Sequence, residues 1–77
     1  MIEISPHARE AMRKHAISED EVMAALIDGE VKFELFAGKE KRYGSVLIEK
    51  QRKIIVIWTY RGQKKRIITC YPLKREI

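Results

Sequence analysis

Residues 53–71 read KIIVIWTYRGQKKRIITCY, and the fold turns on this stretch. Ile54, Ile55, Val56, Ile57, Trp58, Thr59 and Tyr60 are all β-branched or aromatic, which favours a pleated strand over a helix. Arg61-Gly62-Gln63-Lys64 supplies a turn in which Gly62 is free to take positive φ. The chain returns through Ile67, Ile68 and Thr69, and Pro72, with no N–H to donate, is expected to end the ladder. An even-membered turn predicts one face with Ile55, Ile57, Ile68 and Cys70. It predicts another with Val56, Trp58, Tyr60, Lys65, Ile67, Thr69 and Tyr71. The first set is aliphatic and reads as core, with Cys70 an inert part of it. The second mixes rings, hydroxyls and cations and reads as the open face of a half-solvated antiparallel sheet.

Working outward, two strands should precede this hairpin. Val31, Phe33 and Leu35 alternate with Lys32 and Glu34, and Ala37-Gly38-Lys39 turns the chain. A longer strand runs from Lys41 to Lys50, and Gln51-Arg52 turns again. In register, Tyr43, Ser45 and Leu47 join the Trp58 face, and Gly44, Val46 and Ile48 join the aliphatic one. Further upstream the period becomes helical. Ser5-Pro6 opens a helix with Ser5 as N-cap and Pro6 at N1, and Ala8, Ala11, Met12 and Ala16 share one arc. Ser18 and Glu21 form a capping box, with Ile17 stapled to Val22. Val22, Met23, Ala25, Leu26 and Ile27 read as the buried stripe, and Asp28-Gly29 stops the second helix. Glu3 between Ile2 and Ile4 suits a short edge strand. Helices in a run followed by strands in a run predict an α+β fold. The expected architecture is a short N-terminal strand, an αα-hairpin and a four-stranded antiparallel meander, with both helices on one face.

The chain has 77 residues, enough for a single domain over residues 1–77 with a thin core. One cysteine excludes an internal disulfide and a cysteine-based zinc site. His7 and His15 have no cysteine or carboxylate set around them, so neither a metal nor a cofactor is expected. No apolar run approaches the length of a membrane span, and no signal-peptide pattern is present. A soluble cytoplasmic protein is the expectation. Charge is uneven: residues 1–38 hold 4 Lys/Arg against 8 Asp/Glu, and residues 39–77 hold 12 against 3, which together give the net +5. A basic sheet half suits RNA or an acidic protein partner. Val56, Trp58, Tyr60, Leu47 and Ile67, left open, would form a patch that predicts a homodimer.

His7-Ala8, Met12, Ile17-Ser18, Glu21-Val22, Gly29-Glu30 and Ile67-Ile68-Thr69-Cys70-Tyr71 resemble the small prokaryotic family called domain of unknown function 4258. That family typically shows H-A-x-x-R-M-x-x-R-G-I-S on its first helix and a late I-T-x-Y strand. The chain departs from it at Ala11 and His15, where the family has arginine, and at Ala16, where it has glycine. The family in turn resembles the RelE and BrnT type toxins, which cleave messenger RNA and are neutralised by an antitoxin.

The resemblance implies a metal-independent endoribonuclease, or a derivative that has lost activity, with an acidic antitoxin-like partner. Such chemistry needs a base for the ribose hydroxyl, cations for the phosphate and an acid for the leaving oxygen. His7 is the candidate base, Lys65 and Arg66 the phosphate-holding cations, and Tyr71 the acid. Cations interleaved with rings suit single-stranded RNA. Arg61, Lys64, Lys65, Arg66, Trp58, Tyr60 and Tyr43 are the candidate RNA-binding set. The alternative is a non-catalytic interaction module that uses the open sheet face.

Overall fold

The computed structural model describes residues 2–50 and 52–74. The elements run β1 (Ile2–Ile4), α1 (Pro6–His15), α2 (Glu19–Ile27), β2 (Glu30–Ala37), β3 (Glu40–Ile48), β4 (Arg52–Arg61) and β5 (Lys64–Lys74). Gln51, half of the expected Gln51-Arg52 turn, lies outside the described residues. The α+β class stands, but the sheet has five strands and is mixed, in the order β1-β5-β4-β3-β2. The four-stranded meander gains β1, which pairs parallel to β5 through Ile2↔Lys65, Glu3↔Arg66 and Ile4↔Ile67. Pro72 does not end β5 but sits opposite Ile54. β1 has already finished at Ile67 on the other side, so Pro72 occupies the free edge, where a missing N–H costs no ladder bond.

The main correction concerns which sheet face the helices cover. Ala8 and Met12 of α1, Val22, Ala25 and Leu26 of α2, and Ile17 between them pack on Ile54, Val56, Trp58, Ile67 and Cys70. The Trp58 face is therefore the core. Val56 and Ile67 are fully buried and Trp58 is 4% exposed, so the open patch expected to drive a homodimer is absent from that face. Burial of Trp58 is tolerated because its Nε1–H donates to Ser45 Oγ at 2.8 Å, leaving no orphaned donor. Ile27, expected in the helical stripe, is 74% exposed at the last residue of α2.

Two features route the chain to this face. A bulge beside Ile57/Trp58 inserts Ile68 into β5, so Thr69 faces Ile57, Cys70 faces Val56 and Tyr71 faces Ile55. The sequence register places Thr69 and Tyr71 with Trp58; the bulge moves them to the opposite face and brings Cys70 under the helices. The second feature is Ser5. Its N–H donates to Ile67 O at 3.1 Å, its hydroxyl donates to Ile68 O at 3.1 Å, and its Oγ accepts from Ala8 N–H at 3.0 Å. One side chain thus caps α1 and satisfies the carbonyl of the bulged residue.

Ser5→Ala is expected to lower unfolding free energy by about 1–3 kcal/mol, since it removes a cap and strands a carbonyl. Urea denaturation followed by Trp58 fluorescence measures this, and an unchanged midpoint contradicts it. Ala16 closes α1 at φ 53°, ψ 47°, a left-handed conformation that strains a Cβ by ~1–2 kcal/mol. Ala16→Gly relieves that strain and returns ~0.4–1 kcal/mol as chain entropy. The expected result is a raised midpoint in the same titration, and a lowered one refutes the account.

Candidate nucleic-acid interface

Beyond the ends of the helices, the Trp58 face continues as a cluster of rings and lysines. Strand alternation places Tyr43 of β3 opposite Trp58 of β4, and Tyr60 of β4 opposite Lys65 of β5. Tyr43 and Trp58 stack at 4.6 Å and 24°. Tyr60 meets both edge-on, at 5.9 Å from Tyr43 and 5.2 Å from Trp58. Lys65 Nζ lies 4.7 Å from the Trp58 ring centroid, and Lys41 Nζ 5.4 Å from that of Tyr43. These are cation–π distances. A hydrogen bond and ion pair with Glu34 at 3.0 Å raise the Lys41 pKa. Lys65 has no carboxylate partner among the described residues.

Burial sorts the rings. Trp58 lies beneath its neighbours, while Tyr60 is 52% exposed and Tyr43 is half-buried. A base can stack on Tyr60, with Tyr43 beside it; Trp58 instead forms the floor that positions Lys65. Lys64 is exposed at the β4–β5 turn, but it pairs with Arg61 across that turn and so lies on the face opposite Lys65. Arg61, on that same face, pairs with Glu40 at 3.3 Å.

The four catalytic candidates do not converge. Lys65 lies on the helix side of the sheet, opposite Tyr60. Arg66 points to the other side, paired with Glu3 at 3.5 Å, and Tyr71 stands on that side opposite Ile55. His7 is exposed in the first turn of α1, in the helical layer. An acid and a base acting on one phosphate must both reach it, and here the sheet separates Tyr71 from His7. Burial pushes the Cys70 thiol pKa up, as befits an inert core thiol. Among the described residues no group of three or more His, Cys, Asp or Glu gathers to hold a metal ion. No helix is long and apolar enough to cross a membrane.

One cluster escaped the sequence reading altogether. Arg52 donates to His15 O at 3.0 Å, to Ala16 O at 2.9 Å, and to both Glu21 oxygens at 3.1 and 3.2 Å. It also lies 3.5 Å from Glu49. Glu21, Glu49, Lys50 and Arg52 line an open cleft of about 550 Å³. Arg52 thereby ties the end of α1 and the start of α2 to the sheet. The capping box hinted at Glu21, but nothing in the sequence linked it to a residue 31 positions away. Burial raises the Glu21 pKa, but hydrogen bonds from the Ser18 backbone, Glu49, Arg52 and the Ser18 hydroxyl outweigh it and hold the carboxyl at about 2. Its hydrogen bond with Glu21, then burial, raises the Glu49 pKa above 4.5. Opposed shifts in neighbouring carboxyls can mark an acid–base pair. Here Arg52 spends its donors on two helix carbonyls and on Glu21, which makes the cluster a clamp.

The two shifts act on stability with opposite signs. Glu21, depressed in the fold, contributes stability above 4.5 that is lost as pH falls towards about 2. Glu49, raised in the fold, contributes stability below 4.5 that is lost as pH rises through its folded value. Glu49→Gln keeps a donor for Glu21 and removes the second effect. Urea titrations are expected to show a larger stability gain for this variant near pH 7 than near pH 4. An equal gain at both would contradict the coupling.

A family model described as Domain of unknown function (DUF4258) matches residues 4–72. No curated protein and no solved structure matches the chain.

Proposed function

The chain belongs to the family Domain of unknown function (DUF4258), and from that premise we propose that it binds single-stranded RNA as a non-cleaving derivative of a toxin-like fold. The observation that carries this reading is Lys65. Its ammonium sits over the Trp58 ring beside exposed Tyr60, without a carboxylate partner among the described residues. A phosphate can meet Lys65 while a base stacks on Tyr60, the combination that single-stranded recognition uses. Binding without cleavage is preferred because Tyr71 and His7 occupy different layers. An RNA-bound role of this kind belongs in the cytoplasm.

The test is a titration with single-stranded RNA at several salt concentrations. Lys65→Glu should weaken binding to every sequence and lower the salt slope by about 1. Tyr60→Ala should cost ~1–3 kcal/mol of binding with little change in slope. Tyr71→Phe should leave binding unchanged, and the wild type should release no cleavage products. No binding at low salt overturns the proposal. Cleavage that disappears in Tyr71→Phe replaces it with the endoribonuclease reading.

A further inference from the structure

The face of the sheet opposite the helices has an order of its own. Cross-strand register sets three rows on it: Phe33, Gly44, Ile57 and Thr69; Val46, Ile55 and Tyr71; Ile48, Lys53 and Leu73. No helix among the described residues packs on these rows, since both helices join the Trp58 side. Ile55 and Ile57 are shielded by their neighbours, while Ile48 is 60%, Leu73 45% and Phe33 37% exposed. A Cβ at Gly44 would run into the Phe33 ring, so the ring lies flat on the sheet and turns a face to solvent. Cations rim the platform. Lys53 stands at one end, and Arg42, Arg61, Arg66 and Lys64 at the other. Arg42 and Arg61 share Glu40, Arg66 holds Glu3, and Lys53 and Lys64 have no carboxylate among the described residues.

We propose that this face docks an amphipathic helix of a partner protein, with an aliphatic stripe on the platform and acidic residues along its flanks. An apolar sheet face is ordinarily covered by a helical layer or a second sheet, and the described chain supplies neither here. A second copy of this chain fits poorly, because face-to-face packing sets the cationic rims of two proteins of net charge +5 against each other. RNA fits poorly because most of the platform is aliphatic and offers bases only Phe33 and Tyr71 to stack on. A helix with leucines at i, i+3, i+4 and i+7 fills the rows, and its glutamates meet Lys53 and Lys64. The site is separate from the Tyr60 cluster, on the other side of the sheet.

The probe is a synthetic helix of about 20 residues with a leucine stripe and glutamate flanks. A peptide with lysine flanks is the control. Fluorescence anisotropy gives affinity for the full chain, and amide shifts of the labelled protein give the location. The glutamate peptide is expected to bind at least about tenfold tighter, equivalent to 1.4 kcal/mol. It should shift Ile48, Ile55, Ile57, Tyr71 and Leu73 amides. Lys53→Glu and Leu73→Glu, both at exposed positions, should each weaken it severalfold while circular dichroism stays unchanged. Equal binding of the two peptides, no binding, or shifts confined to the helices overturns the proposal. The same shifts produced by self-association in sedimentation, by phosphatidylserine vesicles or by RNA overturn it too, and name the occupant instead.

Discussion

Ser5 occupies the junction on which the rest of the arrangement depends. Its Oγ caps α1 through Ala8 N–H, its hydroxyl donates to the Ile68 carbonyl, and its N–H donates to Ile67 O. The chain therefore leaves the sheet edge at a fixed point and angle. β1 is held beside β5, α1 crosses the Trp58 face, and α2 follows over β4 and β3. Ile68 is the extra residue of the bulge, so the element that redirects β5 and the element that starts α1 share one set of hydrogen bonds. Because Ser5 is nearly buried, water does not readily replace those bonds.

Arg52 completes the layer from the other end. A domain this small buries little surface, and two helices of 10 and 9 residues are too short to be stable by themselves. Arg52 takes up the His15 and Ala16 carbonyls at the close of α1 and the Glu21 carboxylate at the opening of α2. A left-handed alanine between them makes the turn tight enough for one guanidinium to reach both. The cost is a second carboxyl, Glu49, crowded against Glu21. The helical layer is thus held by polar contacts at its margins as well as by the core beneath.

With the helices committed to one side, the sheet offers two surfaces of different character. At the hairpin tips, beyond the reach of the helices, Tyr43, Tyr60, Lys41 and Lys65 gather over Trp58. On the opposite side no helix among the described residues covers the aliphatic rows, which lie within a cationic rim. The carboxylates that would neutralise the basic half lie mostly in residues 1–38, several of them in the helices and β2 and engaged there. The lysines without a carboxylate among the described residues remain at the edges of the two surfaces, which is why both are proposed above as sites for something acidic.

Much of the fold was legible in the sequence, because local chemistry sets it. Ser5-Pro6 and the Ser18/Glu21 capping box mark helix starts wherever they occur, and the run of β-branched and aromatic residues from Ile54 to Tyr60 forms a strand. The aromatic–lysine grouping was legible too, since alternation alone puts Tyr43, Trp58, Tyr60 and Lys65 on one side. The choice of face belonged to the tertiary structure. Trp58 looked like a ring for solvent, yet Ser45 on the neighbouring strand satisfies its N–H and lets it be buried. One inserted residue, Ile68, moved Tyr71 away from Lys65, and periodicity does not reveal where a bulge will fall. The parallel pairing of β1 with β5 and the reach of Arg52 to Glu21 join residues far apart in the chain. Such contacts are decided by how the layers meet, and a local pattern carries no record of them.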